Sequence, residues 1–372
     1  MIFMIDQKTQ KYLDIYKNRK FEPSSIFLTG DSAPIDNNYF LNRLHDISKN
    51  KPITEDYYSL GGAVEELENH TAKLLGKESA VFFPTGTMAN HIAIRKLCGI
   101  SKRAVVQEQS HIYQDSGDTV QTLSGINLIP LGNEKSYFSL IEYEKAIHES
   151  LSGRVKSKIG AVSIESPVRR CSGQQFPYET MKLISSLSKS KGISMHLDGA
   201  RLFMMSGTTG IKITDYTKFF DSVYVSLWKY FDAPFGAILA GSENFCKELF
   251  HDRRMFGGSL PSSSIAAALA LKGMESFPKD FKKSMNKSLE IFQFLDQLAG
   301  IDIRSYENGT NIFKMILDKK LNPLEVKLKL AEKDIFVNPE TLGEHDFDIT
   351  INTTILRKQT SYLKTALKDC LT

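Results

Sequence analysis

The sequence predicts an α/β protein in which helices cover both faces of a mostly parallel central sheet. Short apolar runs alternate with segments of helical periodicity from residue 62 to residue 240, and turns rich in glycine or proline separate them. The chain has 372 residues, 41% of them hydrophobic and 24% charged, which is typical of a globular protein with one large and one smaller domain.

The first predicted elements are helices around a short strand and a glycine turn. A helix is expected at residues 7–16, followed by polar sequence that is rich in turns. A second helix starts at Gly62, with apolar residues at helical spacing, and Gly76 ends it. A buried strand at 79–83 then leads through a Pro-Thr-Gly-Thr turn into a helix at 88–97.

The alternation of strands and helices continues to residue 240. We predict strands at 104–106, 159–164, 193–197, 222–227 and 237–240, and helices at 140–151 and 178–190. In a parallel sheet the carboxyl ends of the strands share one edge, and ligands bind beyond that edge. The polar residues that follow these strands are therefore the candidates for a functional site.

Beyond residue 264 the pattern changes, and it predicts a smaller α+β domain. The predicted elements there are a helix at 265–298, strands at 312–317, 335–338 and 349–352, and a helix at 324–331. We therefore divide the chain into an N-terminal arm (1–50), a large α/β domain (51–269) and a C-terminal domain (270–372).

Composition and charge argue against several classes of protein. The net charge of +4 is dispersed, which argues against a nucleic-acid partner. The longest apolar run, residues 265–271, is too short to cross a bilayer, and residues 1–6 lack the core of a signal peptide. The four cysteines lie far apart, which indicates free thiols in a cytoplasmic protein rather than zinc ligands or disulfides.

Lys229 and Asp198 are the leading candidates for a reactive centre. Lys229 closely follows the strand at 222–227, and Asp198 ends the strand before it. Pyridoxal phosphate chemistry needs such a pair, because a lysine amine forms a Schiff base with the aldehyde and a carboxylate keeps the pyridine nitrogen protonated. The alternatives are a surface lysine and a structural salt bridge between Asp198 and Arg201.

Three further residues at strand ends fit the same cofactor. Gly86 and Thr87 stand where a strand passes into a helix, so free amides and a hydroxyl there could hold a phosphate. The alternative is an ordinary turn capped by threonine. His111 follows the strand at 104–106 and could stack on a flat ring, although a lone histidine is more often structural.

Two arginine pairs are candidates for binding a substrate carboxylate. Arg169 and Arg170 follow the strand at 159–164, and a guanidinium can hold a carboxylate through two parallel hydrogen bonds. Arg253 and Arg254 form the second pair. In both cases plain surface charge is the competing interpretation.

Taken together, these motifs resemble the threonine aldolase family of fold-type I pyridoxal phosphate enzymes, within the β-eliminating lyases. The resemblance extends from about residue 30 to residue 271 and rests mainly on Pro-Thr-Gly-Thr-Met at 84–88 and Leu-Asp-Gly-Ala-Arg at 197–201. It implies an aspartate aminotransferase-like fold, pyridoxal 5'-phosphate as cofactor and an amino acid as substrate. It also implies a homodimer or homotetramer with shared active sites.

The resemblance implies roles for individual residues. Lys229 looks like the Schiff-base lysine, Asp198 like the partner of the pyridine nitrogen, and His111 like the imidazole stacked on the ring. Further cofactor contacts are implied for Gly86, Thr87, Arg201, Ser226 and Arg253, and substrate contacts for Arg201 and Tyr58; Arg169 and Arg170 are substrate candidates because of their place after a strand. Of these, Tyr58 and Arg253 are the candidates to reach across a subunit boundary.

Four positions depart from the family pattern. Val168 stands where family aldolases carry a histidine that handles the proton of the substrate hydroxyl, and valine cannot do this. Gly30 replaces a serine that holds the substrate carboxylate, and Trp228 precedes the lysine where serine or tyrosine is usual. The arginine expected near Ile349 is missing, since Arg357 is out of register. The cofactor site is thus complete, whereas the substrate site is altered.

The expected activity is cleavage of a β-hydroxy-α-amino acid to glycine and an aldehyde, with Lys229 or water as the base in place of the missing histidine. β-Elimination, racemisation and transamination of another amino acid stay open, as does a cofactor-binding paralogue without turnover. A dehydrogenase is disfavoured because no GxGxxG follows an early strand.

Overall fold

The computed structural model describes residues 7–337 and 345–371. The chain divides into two units, one formed by residues 38–275 and the other by residues up to 37 together with those from 276. The apolar stretch at residues 1–6 and the predicted end of a strand at Asn338 lie outside the described residues. The boundaries predicted after residues 50 and 269 stay predictions.

The described strands and helices alternate through most of the chain. The strands are β1 (Ile26–Leu28), β2 (Ser79–Phe83), β3 (Arg103–Gln107), β4 (Asn127–Leu131), β5 (Ile159–Glu165), β6 (Ser194–Asp198), β7 (Ser222–Ser226), β8 (Ala237–Gly241), β9 (Ile301–Ser305), β10 (Ile312–Leu317), β11 (Ile335–Val337) and β12 (Asp346–Thr350). The helices are α1 (Gln7–Arg19), α2 (Asn37–Asn50), α3 (Gly62–Leu75), α4 (Gly86–Cys98), α5 (His111–Gln114), α6 (Thr119–Ser124), α7 (Leu140–Ser152), α8 (Tyr178–Lys191), α9 (Leu202–Thr209), α10 (Ile213–Thr217), α11 (Glu243–Cys246), α12 (Leu249–Met255), α13 (Ser264–Leu295), α14 (Pro323–Glu332) and α15 (Thr360–Leu371).

The larger unit is built on a seven-stranded sheet in the order β2-β8-β7-β6-β5-β3-β4. β8 alone among these strands runs antiparallel to its neighbours, β2 and β7, so the sheet is mostly parallel as predicted. Every residue of β5, β7 and β8 is buried, as expected for strands covered on both faces. The carboxyl ends of the six parallel strands therefore meet at one edge.

Local sequence explains why α3 lies where it does. Its buried side chains, which include Val64, Leu67 and Leu75, recur at helical spacing. Gly76 caps the helix in a left-handed conformation (φ 61°), and its amide reaches back to the carbonyls of Ala72 and Lys73. β2 starts three residues later and leads into α4 through one short turn.

The smaller unit contains a three-stranded antiparallel sheet, β12-β10-β9, and a parallel pair formed by β1 and β11. Tyr12 and Tyr16 of α1 pack edge-on against Phe336, which stacks on Phe27 with ring centroids 5.1 Å apart. Tyr12 and Phe27 thus form a core with residues more than 300 positions away in the chain.

Between residues 7 and 337 and between 345 and 371, no helix combines the length and apolarity that a membrane crossing would require.

Candidate active site

The polar residues singled out from the sequence gather at the carboxyl edge of the seven-stranded sheet. β2 leads to Gly86, β3 to His111, β6 to Asp198 and β7 to Lys229. The charges of Asp198 and Lys229 both act on the pKa of His111, so these three side chains lie within electrostatic reach of one another. Residues that are up to 143 positions apart along the chain (229 − 86) thus contribute to one site.

Asp198 is buried, and neutral groups hold its carboxylate. Its Oδ2 accepts a hydrogen bond from Asn90 Nδ2 of α4 at 2.5 Å, and its Oδ1 accepts one from the Ala200 amide at 3.1 Å. Asn90 Oδ1 lies 2.9 Å from Nε2 of His196, whose Nδ1 lies 2.8 Å from Ser222 Oγ. These hydrogen bonds fix the position of the carboxylate, the group that would pair with a cationic ring nitrogen.

His111 begins α5, and the site favours its neutral form. Its Nδ1 lies 3.0 Å from Ser116 Oγ. Burial lowers the pKa of the imidazole, an effect that Asp198 opposes and Lys229 reinforces. A neutral ring fits the predicted stacking role, since it does not compete with Lys229 for the negative charge of a bound anion.

Gly86 is the first residue of α4, and the structure leaves no room for a side chain there. A Cβ atom at Gly86 would lie 2.0 Å from the hydroxyl oxygen of Tyr224. Thr85 caps the helix by accepting a hydrogen bond from the Met88 amide at 3.2 Å. The amides of Gly86 and Thr87 lie in the first helical turn, where amides have no partner within the helix and can bind a phosphate.

We expect Gly86→Ala to weaken binding of pyridoxal phosphate at least tenfold and to lower stability by about 1–3 kcal/mol, because the new methyl group must displace Tyr224 or the start of α4. Fluorescence of Trp228, the one tryptophan of the chain, reports binding beside Lys229. Gly153→Ala is the matched control, since a Cβ there meets nothing closer than 3.6 Å. Equal affinities of the two variants would contradict the assignment.

Lys229 lies in the turn after β7 and is half-buried. Tyr230 and Phe231 are buried beside it, whereas Trp228 is 47% exposed. The Lys229 ammonium lies 6.0 Å from the centroid of the Trp228 ring. The lysine therefore has one side against aromatic rings.

Ser226 ends β7, and its buried Oγ forms no hydrogen bond of normal geometry among the described residues. Its hydroxyl lowers the pKa of Tyr224, against the larger opposite effect of burial. A buried hydroxyl without a full partner costs free energy unless a ligand completes it. Together with the tight approach at Gly86, this is the direct structural sign that the site fits a phosphorylated cofactor.

Glu165 was not singled out from the sequence, yet it lies at the centre of this edge. It ends β5, is buried, and stands in register with Asp198 of β6. Its carboxylate accepts hydrogen bonds from the amides of His111 and Arg169. Burial, followed by the charge of Asp198, raises the pKa of Glu165 to about 7. An acid that ends an otherwise apolar strand was the available signal.

Arg169 and Arg170 both bind Asp115, and this favours the surface-charge interpretation. Arg169 Nη2 lies 2.5 Å from Asp115 Oδ2, and Arg170 Nη2 lies 2.8 Å from Oδ1. The hydrogen bond from Arg170, aided by Arg169 against the effect of burial, lowers the pKa of Asp115 to about 2. Binding of a substrate carboxylate by this pair stays a prediction, and these ion pairs count against it.

Arg253 is fully buried within its own chain. Its Nη1 donates to the carbonyl of Phe82 at 2.5 Å, and its Nη2 donates to the carbonyls of Tyr58 and Ser59 at 3.1 and 3.4 Å. Tyr58 has a positive φ of 53°, and Arg254 lies over its ring. Reach of Arg253 and Tyr58 across a subunit boundary stays a prediction; for Arg253 this burial counts against it.

The structure also shows the surroundings of Val168 and Arg201. Val168, which stands in place of the family histidine, is completely buried, and its amide donates to the Gln174 carbonyl at 2.8 Å. Arg201 precedes α9, and its charge lowers the pKa of Glu165 and of Tyr224 against the dominant effect of burial. Arg201 thus lies among the residues that surround Asp198, as the sequence suggested.

A mostly parallel sheet with a lysine, an aspartate and a phosphate-type helix start at one edge defines the class of fold-type I pyridoxal phosphate enzymes. Within this class the chain belongs to the beta-eliminating lyase family, whose model matches residues 51–317. The family resemblance seen in the sequence is therefore confirmed.

Relatives with assigned names agree with this placement. The chain is 26% identical over 295 residues to low-specificity L-threonine aldolase 1 of Arabidopsis thaliana, covering 77% of this chain and 82% of that protein. It is 25% identical over 327 residues to the low-specificity L-threonine aldolase of Candida albicans, covering 87% and 84%. A candidate L-allo-threonine aldolase of Listeria monocytogenes EGD-E has the same fold, with a TM-score of 0.79 at 24% identity over 98% of this chain and 99% of that one.

Proposed function

We propose that this protein is a pyridoxal-phosphate-dependent lyase that cleaves a β-hydroxy-α-amino acid to glycine and an aldehyde. The observation that carries the proposal is the buried Asp198 carboxylate, which neutral donors hold at a strand end within electrostatic reach of His111 and Lys229. The names of the aldolase relatives support the choice of reaction.

The residues divide the work of holding the cofactor. The amides at Gly86 and Thr87, with the Ser226 hydroxyl, would bind the phosphate. Asp198 would hold a proton on the pyridine nitrogen, and His111 would lie on the ring. When bound in this way, the cofactor supplies an electron sink for the charge that develops at the substrate Cα.

Lys229 has two tasks in this proposal. Its amine would hold the cofactor. The same amine would also accept the proton of the substrate hydroxyl. Val168 is buried and apolar, so it cannot share this task. Burial lowers the pKa of the nearby His111, which makes its imidazole a weaker base, so Lys229 carries this task in the proposal.

Product analysis tests the reaction. The purified protein is incubated separately with threonine, allo-threonine, serine and cysteine, and the products are identified. We expect glycine and acetaldehyde from threonine or allo-threonine. Pyruvate and ammonia from serine or cysteine, without acetaldehyde from either threonine isomer, would instead establish β-elimination.

We further propose that the protein forms a homodimer or homotetramer in the cytoplasm. Large apolar side chains are exposed near Tyr58, on the turn before α3 and at the start of α13, where a second copy could cover them. They include Tyr57 (74% exposed), Leu60 (50%) and Ile265 (55%). The four cysteines are free, which suits a reducing compartment. Light scattering should give two or four times the 41.9 kDa chain mass; a monomer at micromolar concentration would contradict this.

A further inference from the structure

Glu165 joins three strand ends of the candidate site. Its carboxylate accepts from two backbone amides that belong to different loops, namely His111 at the start of α5 and Arg169 in the short helical turn Arg169–Cys171, the latter at 3.1 Å. Both amides lie at the start of helical turns, where no carbonyl within the turn can accept from them. One buried side chain therefore sets the position of two segments beyond the sheet edge.

The backbone of Glu165 is itself held in place. Gln107, the last residue of β3, accepts from the Glu165 amide at 2.8 Å and donates to the Glu165 carbonyl at 2.7 Å. The same Gln107 amide group donates to the Ser136 carbonyl at 3.1 Å. Glu165 is thus tied to β3 on one side, and its register partner on the other side is Asp198 of β6.

We propose that Glu165 is a positioning residue. Its carboxylate holds the backbone amides of His111 and Arg169 beside Asp198, and its own charge changes with the charge of the group bound at Asp198. This inference rests on the proposed function, because it takes Asp198 as the partner of the cationic ring nitrogen. Glu165 does not contact the reacting atoms in this account. It acts through the residues that do.

The response follows from the electrostatics of two neighbouring buried carboxyl groups. Burial and the negative charge of Asp198 both favour the protonated form of Glu165. A cation paired with Asp198 removes that repulsion, so cofactor binding would release a proton from Glu165. The titratable or charged groups around Glu165 are Asp198, Arg201, Tyr224, His111, Arg170 and Cys171.

Ionisation of Glu165 makes the affinity for pyridoxal phosphate depend on pH. Below its pKa of about 7, Glu165 in the free protein is protonated and must lose its proton when the cofactor binds. Affinity for pyridoxal phosphate should therefore rise with pH as this group ionises. Glutamine at this position carries no charge at any pH, so this part of the pH dependence should disappear.

The experiment compares Glu165→Gln with Glu165→Asp and Glu142→Gln. The cofactor-free proteins are titrated with pyridoxal phosphate at about pH 6 and pH 8 on either side of the Glu165 pKa, with Trp228 fluorescence as the readout. Glu142 is the matched control, because its carboxylate also accepts from two backbone amides, those of Ser139 and Gly132 at 2.7 and 3.3 Å. It lies on α7 and was not assigned to the site.

We expect the ratio of dissociation constants, Glu165→Gln over the unaltered protein, to grow by up to about tenfold from the lower to the higher pH, the limit for release of one proton on binding. Glu165→Asp should keep the pH dependence, because aspartate also carries an ionisable carboxyl group. It should bind pyridoxal phosphate more weakly at both pH values, because the shorter side chain no longer reaches the two backbone amides. It serves as the test if Glu165→Gln does not fold. Glu142→Gln should match the unaltered protein.

If the ratio of dissociation constants is the same at both pH values, binding of the cofactor is not coupled to ionisation of Glu165. Loss of the pH dependence in Glu165→Asp would contradict the proposal in the same way. An equal effect of Glu142→Gln would show that Glu165 has no special role. If the unaltered protein itself fails to bind pyridoxal phosphate, the proposed function fails first. The two failures are therefore distinguishable.

Discussion

Replacing Lys229 by alanine should abolish the visible absorbance of the lysine-bound cofactor in the purified protein. It should also lower kcat by about 10²–10⁴-fold or more, the range for loss of a positioned acid–base group. The physical reason is twofold. The amine that attaches the cofactor is gone, and so is the base that accepts the hydroxyl proton. Absorbance spectra and steady-state kinetics with added pyridoxal phosphate measure the two effects separately.

Lys229→Arg is the matched control for charge. Arginine keeps the positive charge beside Trp228, but its guanidinium stays protonated and cannot attach the cofactor. We expect it to fold as the unaltered protein does and to lack the absorbance as well. Survival of the absorbance in either variant would show that another group attaches the cofactor.

Asp198→Asn should have the second largest effect, a loss of about 10²–10³-fold in kcat, as for removal of one stabilising electrostatic group at a reacting centre. Asparagine has nearly the same volume and can accept from either Asn90 or the Ala200 amide, so we expect the fold to persist with one hydrogen bond fewer. The absorbance of the lysine-bound cofactor should also persist, because Lys229 is intact. The variant thus separates attachment of the cofactor from its use as an electron sink.

Asp221→Asn is the control for this change. Asp221 precedes β7 at the opposite edge of the same sheet, and its Oδ2 accepts from the Met195 amide at 2.7 Å. We expect its kcat to stay within about threefold of the unaltered protein, since it lies away from the charge that develops in the reaction. A similar loss in both variants would mean that Asp198 acts through stability alone.

The fold could be predicted from the sequence where periodicity and burial agree. β5 and β7 are buried on both faces, and runs rich in Ile and Val mark them in the sequence. β4 was missed because it carries Pro130 at the edge of the sheet and has no fully buried residue. α2 was missed although Phe40, Leu44 and Ile47 recur at helical spacing; none of its side chains is fully buried.

The candidate site could be predicted as far as single residues carry a chemical signature. Lys229, Asp198 and His111 follow strands, and the topology brings them together. Ion pairs between residues far apart in the sequence could not be predicted, such as those of Asp115 with Arg169 and Arg170. Glu165 was missed for the same reason, since its partners lie on two other loops.

The most direct test of the central claim is reduction of the purified protein with borohydride, followed by digestion and mass spectrometry of the peptides. Reduction makes the link between cofactor and lysine permanent, so the attachment point can be located. The account predicts a phosphopyridoxyl group on the peptide that contains Lys229. A label on another lysine, or no label after incubation with excess pyridoxal phosphate, would contradict it.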